Sequence, residues 1–419
     1  MVKGVQPDTQ PSVFSSQPFA VSLALFFYLG HLLCAGWVAS SEIGLFAAVL
    51  TVAYCLWRRL LRPSFHILYF PLIVYGLDST ISAVTSDRSV HAFGESALWM
   101  KMLVFPTALI LFRNVPRSRE LALRAFLAFG VLASLFGFFQ YFALHQQDIE
   151  HRITGPAAHV MTLSGLMLPV ALIFVILWTH DWRNKWLLAG TLLTTVTLLM
   201  TFTRSAWLGW LVAIFVVLAL KRPRLLMYAV PAAIVVLVLL PLPYFARVVS
   251  SFDTRQSSNF DRIRMFQGGV EIIKDYPLLG VGPGNMKEVY PLYRKPDAPR
   301  FRIPHLHNNM LQLWAERGIL ALAAYLLLNV LFLRECARAW RGPNARYAEM
   351  GVAVAVGLFV AGMFEFNFGD TEVFLALLDV FALVIAFTSC HSERSEEPGW
   401  DGRSAEVAIA AHPPAQVPR

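Results

Sequence analysis

The chain has 419 residues, of which 57% are hydrophobic and only 15% are charged, with a formal net charge of +8. Soluble proteins keep about a quarter of their residues charged, so this composition excludes an ordinary soluble fold. The mean hydropathy is +0.56, and the apolar residues come in blocks close to the roughly 20 residues that span a hydrocarbon core. The sequence therefore predicts an all-α polytopic membrane protein.

Twelve apolar segments are predicted to span the membrane. They cover residues 19–39, 43–57, 64–84, 97–112, 119–143, 158–179, 186–203, 205–220, 225–242, 307–333, 346–366 and 371–389. Residues 186–220 are almost continuously apolar, and a single helix over them would be about 52 Å long, well beyond a core of about 30 Å. The chain is therefore predicted to fold back at the polar sequence Thr203–Arg204–Ser205.

Lysine and arginine are distributed unevenly over the short loops, which predicts the orientation in the membrane. One set of loops carries sixteen of them: Arg58, Arg59, Arg62, Arg113, Arg117, Arg119, Arg124, Arg183, Lys185, Lys221, Arg222, Arg224, Arg334, Arg338, Arg341 and Arg346. The alternate short loops carry only Arg88, Arg152 and Arg204. The richer set is predicted to be cytoplasmic. The positive net charge therefore follows from topology and does not indicate a nucleic-acid partner.

This orientation divides the chain into five predicted regions. A cytoplasmic N-terminal segment (1–18) precedes nine membrane helices (19–242). One large external loop (243–306) then leads to three further membrane helices (307–389). The tail, 390–419, is polar and rich in proline and alanine, which is typical of a disordered segment. Both termini are predicted to lie in the cytoplasm.

The external loop is basic and patterned. It carries ten lysines and arginines against six acids, and either an anionic ligand or anionic lipid head groups would explain that surplus. Residues 261–280 place Arg262, Phe266, Gly269 and Ile273 on one face of an amphipathic helix. Arg262 is thus predicted to face the protein body and Arg264, about 200° away, to face water. The sequence GVGPGN at 280–285 is read as a tight turn, with an anion-binding nest as the alternative.

The loop re-enters the membrane at HLHNNMLQLWAERG, residues 305–318, where polar side chains lie at the mouth of an apolar helix predicted to begin near His307. Polar groups in this position tend to face a bundle interior or a wet cavity. Three hypotheses remain open from the residues alone. His307 acts as a general base, or His307 and Asn308 cap the helix, or His305 and His307 bind a metal. No carboxylate stands at a suitable spacing nearby for the metal hypothesis.

Four other charged residues lie in or beside apolar segments. Arg204 is placed at the predicted bend, where it either has a function or merely extends to the interface. Asp78 and Lys101 lie within predicted spans, and each is either functional or paired structurally. Asp379, in the last span, stands where a small apolar residue is expected, and it is either a substrate-channel feature or drift.

Three sequences in this half of the chain carry a resemblance. They are TFTRSAWLG (201–209), RIRMFQGGVEIIKDYPLLGVGPGN (262–285) and HLHNNMLQLWAERGILAL (305–322). In order, spacing and position around one large outer loop they resemble the O-antigen ligase/polymerase superfamily of bacterial envelope glycosyltransferases. The third is the most specific. The likeness is dense over residues 195–325 and weaker elsewhere, where SAVTSDRSVHAF (82–93) still agrees.

The resemblance implies transfer of an undecaprenyl-diphosphate-linked glycan to an acceptor hydroxyl on the outer face of the inner membrane. It matches the family's essential arginines to Arg204 and Arg262 and its essential histidine to His307, and it implies no cofactor and no metal. His305, Asn308 and Glu316 are predicted to contact substrate beside them. Direct displacement by the acceptor hydroxyl would invert the anomeric centre.

Two alternatives accompany this prediction. Within the family, the acceptor is either the lipid A core, for a ligase, or a growing glycan, for a polymerase of repeat units. From another class, twelve spans with intramembrane charges are also typical of a secondary transporter, but no internal repeat is visible. The expected partners are the lipid-linked donor, one of these acceptors and membrane lipids.

Overall fold

The computed structural model describes residues 18–86, 92, 94, 101–146, 151–227, 242–251, 253 and 255–389, and the regular elements in these ranges are all helical. The fifteen α-helices are α1 (Phe19–Leu33), α2 (Val38–Trp57), α3 (Tyr69–Thr85), α4 (Val104–Asn114), α5 (Arg117–Ala143), α6 (Val160–His180), α7 (Lys185–Met200), α8 (Arg204–Lys221), α9 (Leu242–Val249), α10 (Ser257–Asp275), α11 (Met286–Tyr293), α12 (Asn309–Arg317), α13 (Ile319–Ala339), α14 (Ala345–Gly362) and α15 (Thr371–Ser389). One 3₁₀ turn covers Pro223–Leu225.

Seven of the described helices are long and apolar enough to cross a membrane: α2, α5, α6, α8, α13, α14 and α15. Three shorter ones, α1, α4 and α7, are apolar as well. The prediction of an all-α polytopic membrane protein is thus confirmed. The predicted ninth span, 225–242, lies almost wholly outside the described residues, as do the N-terminal segment and the tail, so the count of twelve stays a prediction.

Three helices form the centre of the bundle. The apolar windows of α15, α6 and α14 are 89%, 83% and 72% buried within the protein, against 28% for α2. A helix that is apolar on all sides belongs in such a centre. On one side α14 packs against α8 so closely that a Cβ on Gly209 would lie 2.4 Å from the carbonyl oxygen of Gly357. This contact fixes α8, and with it the residue at its N-terminus.

The predicted reversal within residues 186–220 is confirmed. Helix α7 ends at Met200 and α8 begins at Arg204. Between them Phe202 has a φ of 51°, and its ring stacks on Tyr244 with centroids 4.6 Å apart. A bulky residue with positive φ is strained by about 1–2 kcal/mol, and burial of the ring offsets that cost.

The predicted tenth span, a single helix over 307–333, is wrong. The chain forms α12 and then α13, with a break at Gly318, whose φ is 89° and where a Cβ would lie 1.8 Å from the carbonyl oxygen of Leu278. Backbone groups on both sides of this break form hydrogen bonds with the turn that follows α10. The Ile319 N–H donates to the carbonyl of Pro277 at 3.2 Å, and the Gly282 N–H donates to the carbonyl of Glu316 at 2.8 Å.

The region predicted as the external loop is folded into the short helices α9 and α11 around the longer α10. Its own small core joins Met265 and Ile272 of α10 to Tyr290 of α11 and Leu306. The predicted amphipathic helix is therefore present, and Gly269 and Ile273 are buried as predicted, but the placement of Phe266 on the buried face is wrong. Phe266 is 52% exposed, because the α11 contacts turn Met265 inward instead.

The tight turn predicted at 280–285 is confirmed. Beyond its bond to Glu316, the turn donates the Val281 N–H to the carbonyl of Ala315 at 2.9 Å. Its Gly284 N–H donates to Oε1 of Glu316 at 3.2 Å. The Glu316 carboxylate thus accepts a backbone hydrogen bond that an anion nest would have offered to a ligand.

Candidate active site

A cavity of about 170 Å³ lies where the N-terminal ends of α6 and α8 meet α9, α10 and the segment before α12. Five of its lining residues are arginines. The lining consists of Arg152, Met161, Thr203, Arg204, Ser205, Arg247, Ser258, Asp261, Arg262, Arg300 and His307. The structure therefore brings together the three residues that the sequence singled out most strongly, and adds three arginines that it did not.

Arg204 is held at the cavity by neutral side chains. Its Nη1 donates to Oε1 of Gln256 at 3.1 Å and to Oγ of Ser250 at 3.4 Å. Its Nη2 donates to Oδ1 of Asn259 at 2.8 Å and to Oγ of Ser258 at 3.2 Å. The guanidinium is thus oriented without being neutralised. The alternative, in which Arg204 only extends to the interface, does not fit these contacts.

Arg247 and Arg152 were missed by sequence reasoning. Arg247, on α9, donates from Nε to the carbonyl of Phe202 at 3.3 Å, and Arg152 precedes α6 with a buried Nη1 that makes no hydrogen bond within the described structure. Burial, together with the charges of Arg204, Arg152 and Arg262, lowers the pKa of Arg247 to about 10. Burial also lowers the pKa of Arg152. Like charges have therefore been brought together at a cost, which is typical of a site for an anion.

Arg262 faces the protein body, as its helical position predicted. Its Nη1 donates to the carbonyl of Phe364 at 2.6 Å and its Nη2 to Oε2 of Glu365 at 3.3 Å. The prediction for Arg264 is wrong: it does not point to water but lies over the ring of Phe260 and pairs with Asp297. The long side chain of arginine can fold back along its own helix. The angle of about 200° between residues 262 and 264 around the helix axis therefore does not fix the position of the Arg264 guanidinium.

Glu365, in the turn between α14 and α15, holds His307. Its Oε1 lies 2.8 Å from Nδ1 of His307, and its Oε2 accepts from Arg262. Burial by itself raises the pKa of Glu365, but the hydrogen bond from His307 and the charges of His307, Arg262 and His305 lower it to about 2. Because an ionised carboxylate only accepts, Nδ1 of neutral His307 carries the proton and Nε2 keeps the free lone pair.

The predicted helical position of His307 is wrong. His307 has a φ of 53° and precedes α12, which begins at Asn309, so it does not share a helix face with Leu311 and Trp314. The capping hypothesis holds for Asn308 alone, whose Oδ1 accepts from the N–H of Leu311 at 2.9 Å. His307 bonds to Glu365 instead and caps nothing.

Three other predicted site residues do not line the cavity. The ring of His305 stacks edge-on against that of His307 at a centroid distance of 4.3 Å. Asn308 donates to the carbonyl of Met363 at 2.8 Å. Glu316 is buried and pairs with Arg317 at 2.8 Å, and burial raises its pKa. The contact of these three residues with substrate stays a prediction.

The expectation that no carboxylate accompanies the two histidines is wrong. Ligand atoms of His305, His307 and Glu365 lie within 4.8 Å of one another, close enough to hold a metal ion. The surroundings oppose a cation, however, because Arg262 already pairs with Glu365 and four more arginines line the adjacent cavity. Metal independence stays a prediction, which a chelator tests.

Two of the three charged residues predicted within spans are paired. Asp379 accepts from Tyr28 at 2.7 Å and lies 3.0 Å from Nε2 of His31. Lys101 pairs with Glu42 at 2.8 Å. Asp78 is buried on α3 and lies outside the cavity. The structural reading therefore fits Lys101, and the contacts of Asp379 place it in a buried pair with His31 outside the cavity.

The sequence was compared with models of known protein families. Residues 189–326 match the family model described as O-antigen ligase. Over this segment, about a third of its length, the chain is similar to the O-antigen ligase family. The resemblance inferred from the three motifs is thereby confirmed, and the matched O-antigen ligase segment contains Arg204, Arg247, Arg262, Arg300 and His307. Arg152 and Glu365 lie outside it. No significant match is found among curated proteins.

Proposed function

We propose that the protein transfers a glycan from an undecaprenyl-diphosphate donor to an acceptor hydroxyl on the outer face of the inner membrane. The observation that carries the proposal is an arginine-lined cavity with a carboxylate-bound histidine in its wall, most of whose residues lie in the segment that matches the O-antigen ligase family. A base and a set of cations in one small cavity match the two needs of this reaction.

The first need is to stabilise the leaving group. When the bond between the sugar and the diphosphate breaks, negative charge grows on the departing phosphate oxygens. Guanidinium groups bind such oxygens in a bidentate way, and in a partly buried site they stabilise the transition state more than they would in water. Arg152, Arg204 and Arg247 form no ion pair with any acid in the described structure, so their charges are available to the donor.

The second need is to remove a proton from the acceptor. In this proposal Nε2 of His307 accepts the hydroxyl proton as the oxygen attacks the anomeric carbon. The C–O bond to the diphosphate breaks with its electron pair, and Glu365 stabilises the imidazolium that forms. One displacement of this kind inverts the anomeric centre. No metal and no cofactor has a step in it.

The location of the cavity supports the outer face. Arg204 and Lys221 begin and end α8, whose 18 residues extend about 27 Å. Lys221 lies in a cluster with His180 and Glu349, at the end of the bundle that carries the basic loops. The cavity is at the opposite end. Under the positive-inside rule that end is external, where a lipid-linked donor presents its glycan.

Purified full-length protein in lipid nanodiscs tests the proposal. It is incubated with an undecaprenyl-diphosphate-linked glycan and offered either a lipid A core acceptor or a second donor molecule. Product resolved by gel as a single addition to the core supports a ligase, and a ladder of lengthening glycan on the carrier supports a polymerase. Absence of both products, with folded protein and a donor of the native glycan, would contradict the proposal.

A further inference from the structure

The two arginines that the family resemblance treats alike have different surroundings. Arg204 is bonded only to amide and hydroxyl groups, so its charge is unpaired. Arg262 has its charge bound by Glu365, and one of its N–H groups by the Phe364 carbonyl. This contrast in charge pairing suggests that Arg204 and Arg262 have different roles in the site.

Arg204 has two companions of the same kind. Arg247 donates only its Nε–H to the described part of the chain, namely to the carbonyl of Phe202. The buried Nη1 of Arg152 makes no hydrogen bond among the described residues. A buried donor without a partner is unfavourable, and a phosphate oxygen would satisfy it. The three guanidinium groups offer about the positive charge that a diphosphate requires.

Arg262 instead completes a chain of contacts that ends at the base. Its guanidinium bonds to Oε2 of Glu365, whose Oε1 binds Nδ1 of His307 and also accepts from the N–H of Phe366 at 3.3 Å. All of these partners lie in the turn after α14 or directly before α12. Arg262 connects this turn to α10, in addition to the contacts that His307 and Asn308 make with it.

We propose that Arg204, Arg247 and Arg152 bind the donor diphosphate, whereas Arg262 is a positioning residue that orients the Glu365–His307 pair. The division rests on the proposed function and deepens it. It predicts that loss of Arg204 or Arg247 weakens diphosphate binding, and that loss of Arg262 chiefly impairs proton removal.

The pH dependence distinguishes the two tasks. The charged and titratable groups around His307 are Glu365 in the α14–α15 turn, Asp261 and Arg262 on α10, His305 and Arg300 before α12, Arg204 on α8, Arg247 on α9 and Arg152 before α6. A base must be neutral to act, so removing a nearby positive charge makes its protonation easier. Arg262→Gln is therefore expected to shift the acidic limb of the rate profile to higher pH, more than Arg204→Gln does.

The test uses full-length protein in nanodiscs and inorganic pyrophosphate as the probe. Calorimetry should show binding weakened about tenfold to a hundredfold in Arg204→Gln and Arg247→Gln, the usual effect of losing a charge-assisted hydrogen bond. Arg262→Gln should weaken binding by less than about threefold while shifting the acidic limb. Arg264→Gln, on the same helix but paired with Asp297 away from the cavity, is the matched control and should change neither.

Size-exclusion chromatography reports folding, and Arg204→Lys and Arg247→Lys replace any glutamine variant that fails it. Equal loss of pyrophosphate binding in Arg262→Gln and Arg204→Gln, with an unshifted pH profile, would overturn the division of tasks but leave the proposed function intact. Wild-type protein that forms transfer product but binds no pyrophosphate would overturn the assignment of the diphosphate site, whereas absence of transfer product would overturn the proposed function.

Discussion

Nδ1 of His307 lies 2.8 Å from Oε1 of Glu365, a contact between residues 58 positions apart in the chain. It joins the segment before α12 to the turn between α14 and α15, and so ties two helices of the bundle at the wall of the cavity. A histidine held in this way has one tautomer and one orientation. That is what a base needs in order to accept a proton at a fixed place.

Glu365→Gln is expected to lower the transfer rate by about 10²-fold or more, because the amide neither stabilises the imidazolium nor enforces the tautomer. The pKa of Glu365 is about 2, so this carboxylate stays ionised over any practical assay range. An acidic limb of the rate profile therefore does not belong to Glu365 itself. Removing the negative charge disfavours the cationic form of the proposed base beside it, so the limb should move to lower pH.

Rate profiles of wild type and Glu365→Gln between about pH 4 and 9 measure both effects. Glu271→Gln serves as the control, since Glu271 forms an exposed pair with Lys274 on the outside of α10. Such surface pairs contribute little, and that variant should behave as wild type. An unshifted limb in Glu365→Gln would mean that the carboxylate does not act through His307.

His307→Ala should lower the transfer rate by about 10²–10⁴-fold, the range for general acid–base catalysis. His307→Asn is the sharper variant. Asparagine tolerates the positive φ of 53° at this position, so the backbone is kept while the base is lost. His305→Ala should matter less, because His305 stacks on His307 without lining the cavity.

These three variants are compared with chelator-treated wild type in one transfer assay. An active His307→Asn protein would remove His307 from the mechanism. Equal losses in the two histidine variants, together with inhibition by the chelator, would favour the metal hypothesis, for which Glu365 supplies the third ligand.

The sequence identified the parts of the site that lie in local motifs. Arg204 stands at a polar interruption of a long apolar run, and His307 stands where polar residues enter a membrane segment. Arg262 follows from helical periodicity. Each of these signals needs only a few neighbouring residues.

Glu365 and Arg247 carry no such signal. Glu365 lies in a connection between two apolar helices, and Arg247 was one of ten basic residues in the loop. Both become part of the site only through tertiary packing, which no spacing within one segment reports.

The sequence contains a local signal for the break after α12, but the prediction of a continuous span gave more weight to the apolar run that follows it. Arg317 and Gly318 are a basic last turn followed by glycine, which marks a helix end. The apolar run beyond them favoured a continuous span instead. What decides the matter is the turn at 277–282, which supplies hydrogen bonds for the broken ends and comes from a distant part of the chain.

Gly318→Ala is therefore expected to destabilise the fold severely, because the side chain combines a strained φ with a clash against the Leu278 carbonyl oxygen. Folded yield after size-exclusion chromatography and the thermal unfolding temperature in detergent measure the effect. Gly30→Ala, inside α1 with no atom within 4 Å of the added methyl, is the control and should be neutral or slightly stabilising. A Gly318→Ala protein as stable as Gly30→Ala would contradict the break.

Sidedness gives the last prediction. In a variant without the four native cysteines, single cysteines at Arg255 and Lys295 should react with a membrane-impermeant reagent in cells whose outer membrane is permeable to it. Cysteines at Leu60, Arg117 and Gly342 should react only after the inner membrane is opened.

The probes at Arg255 and Lys295 lie in the region that builds the cavity. The other three lie in the basic set of loops: Leu60 follows α2, Arg117 begins α5, and Gly342 lies between α13 and α14. All five residues are at least partly exposed, so a silent probe reports the membrane rather than burial. Labelling of the Gly342 probe in intact cells would reverse the orientation, and the cavity would then face the cytoplasm, where the proposed donor does not present its glycan.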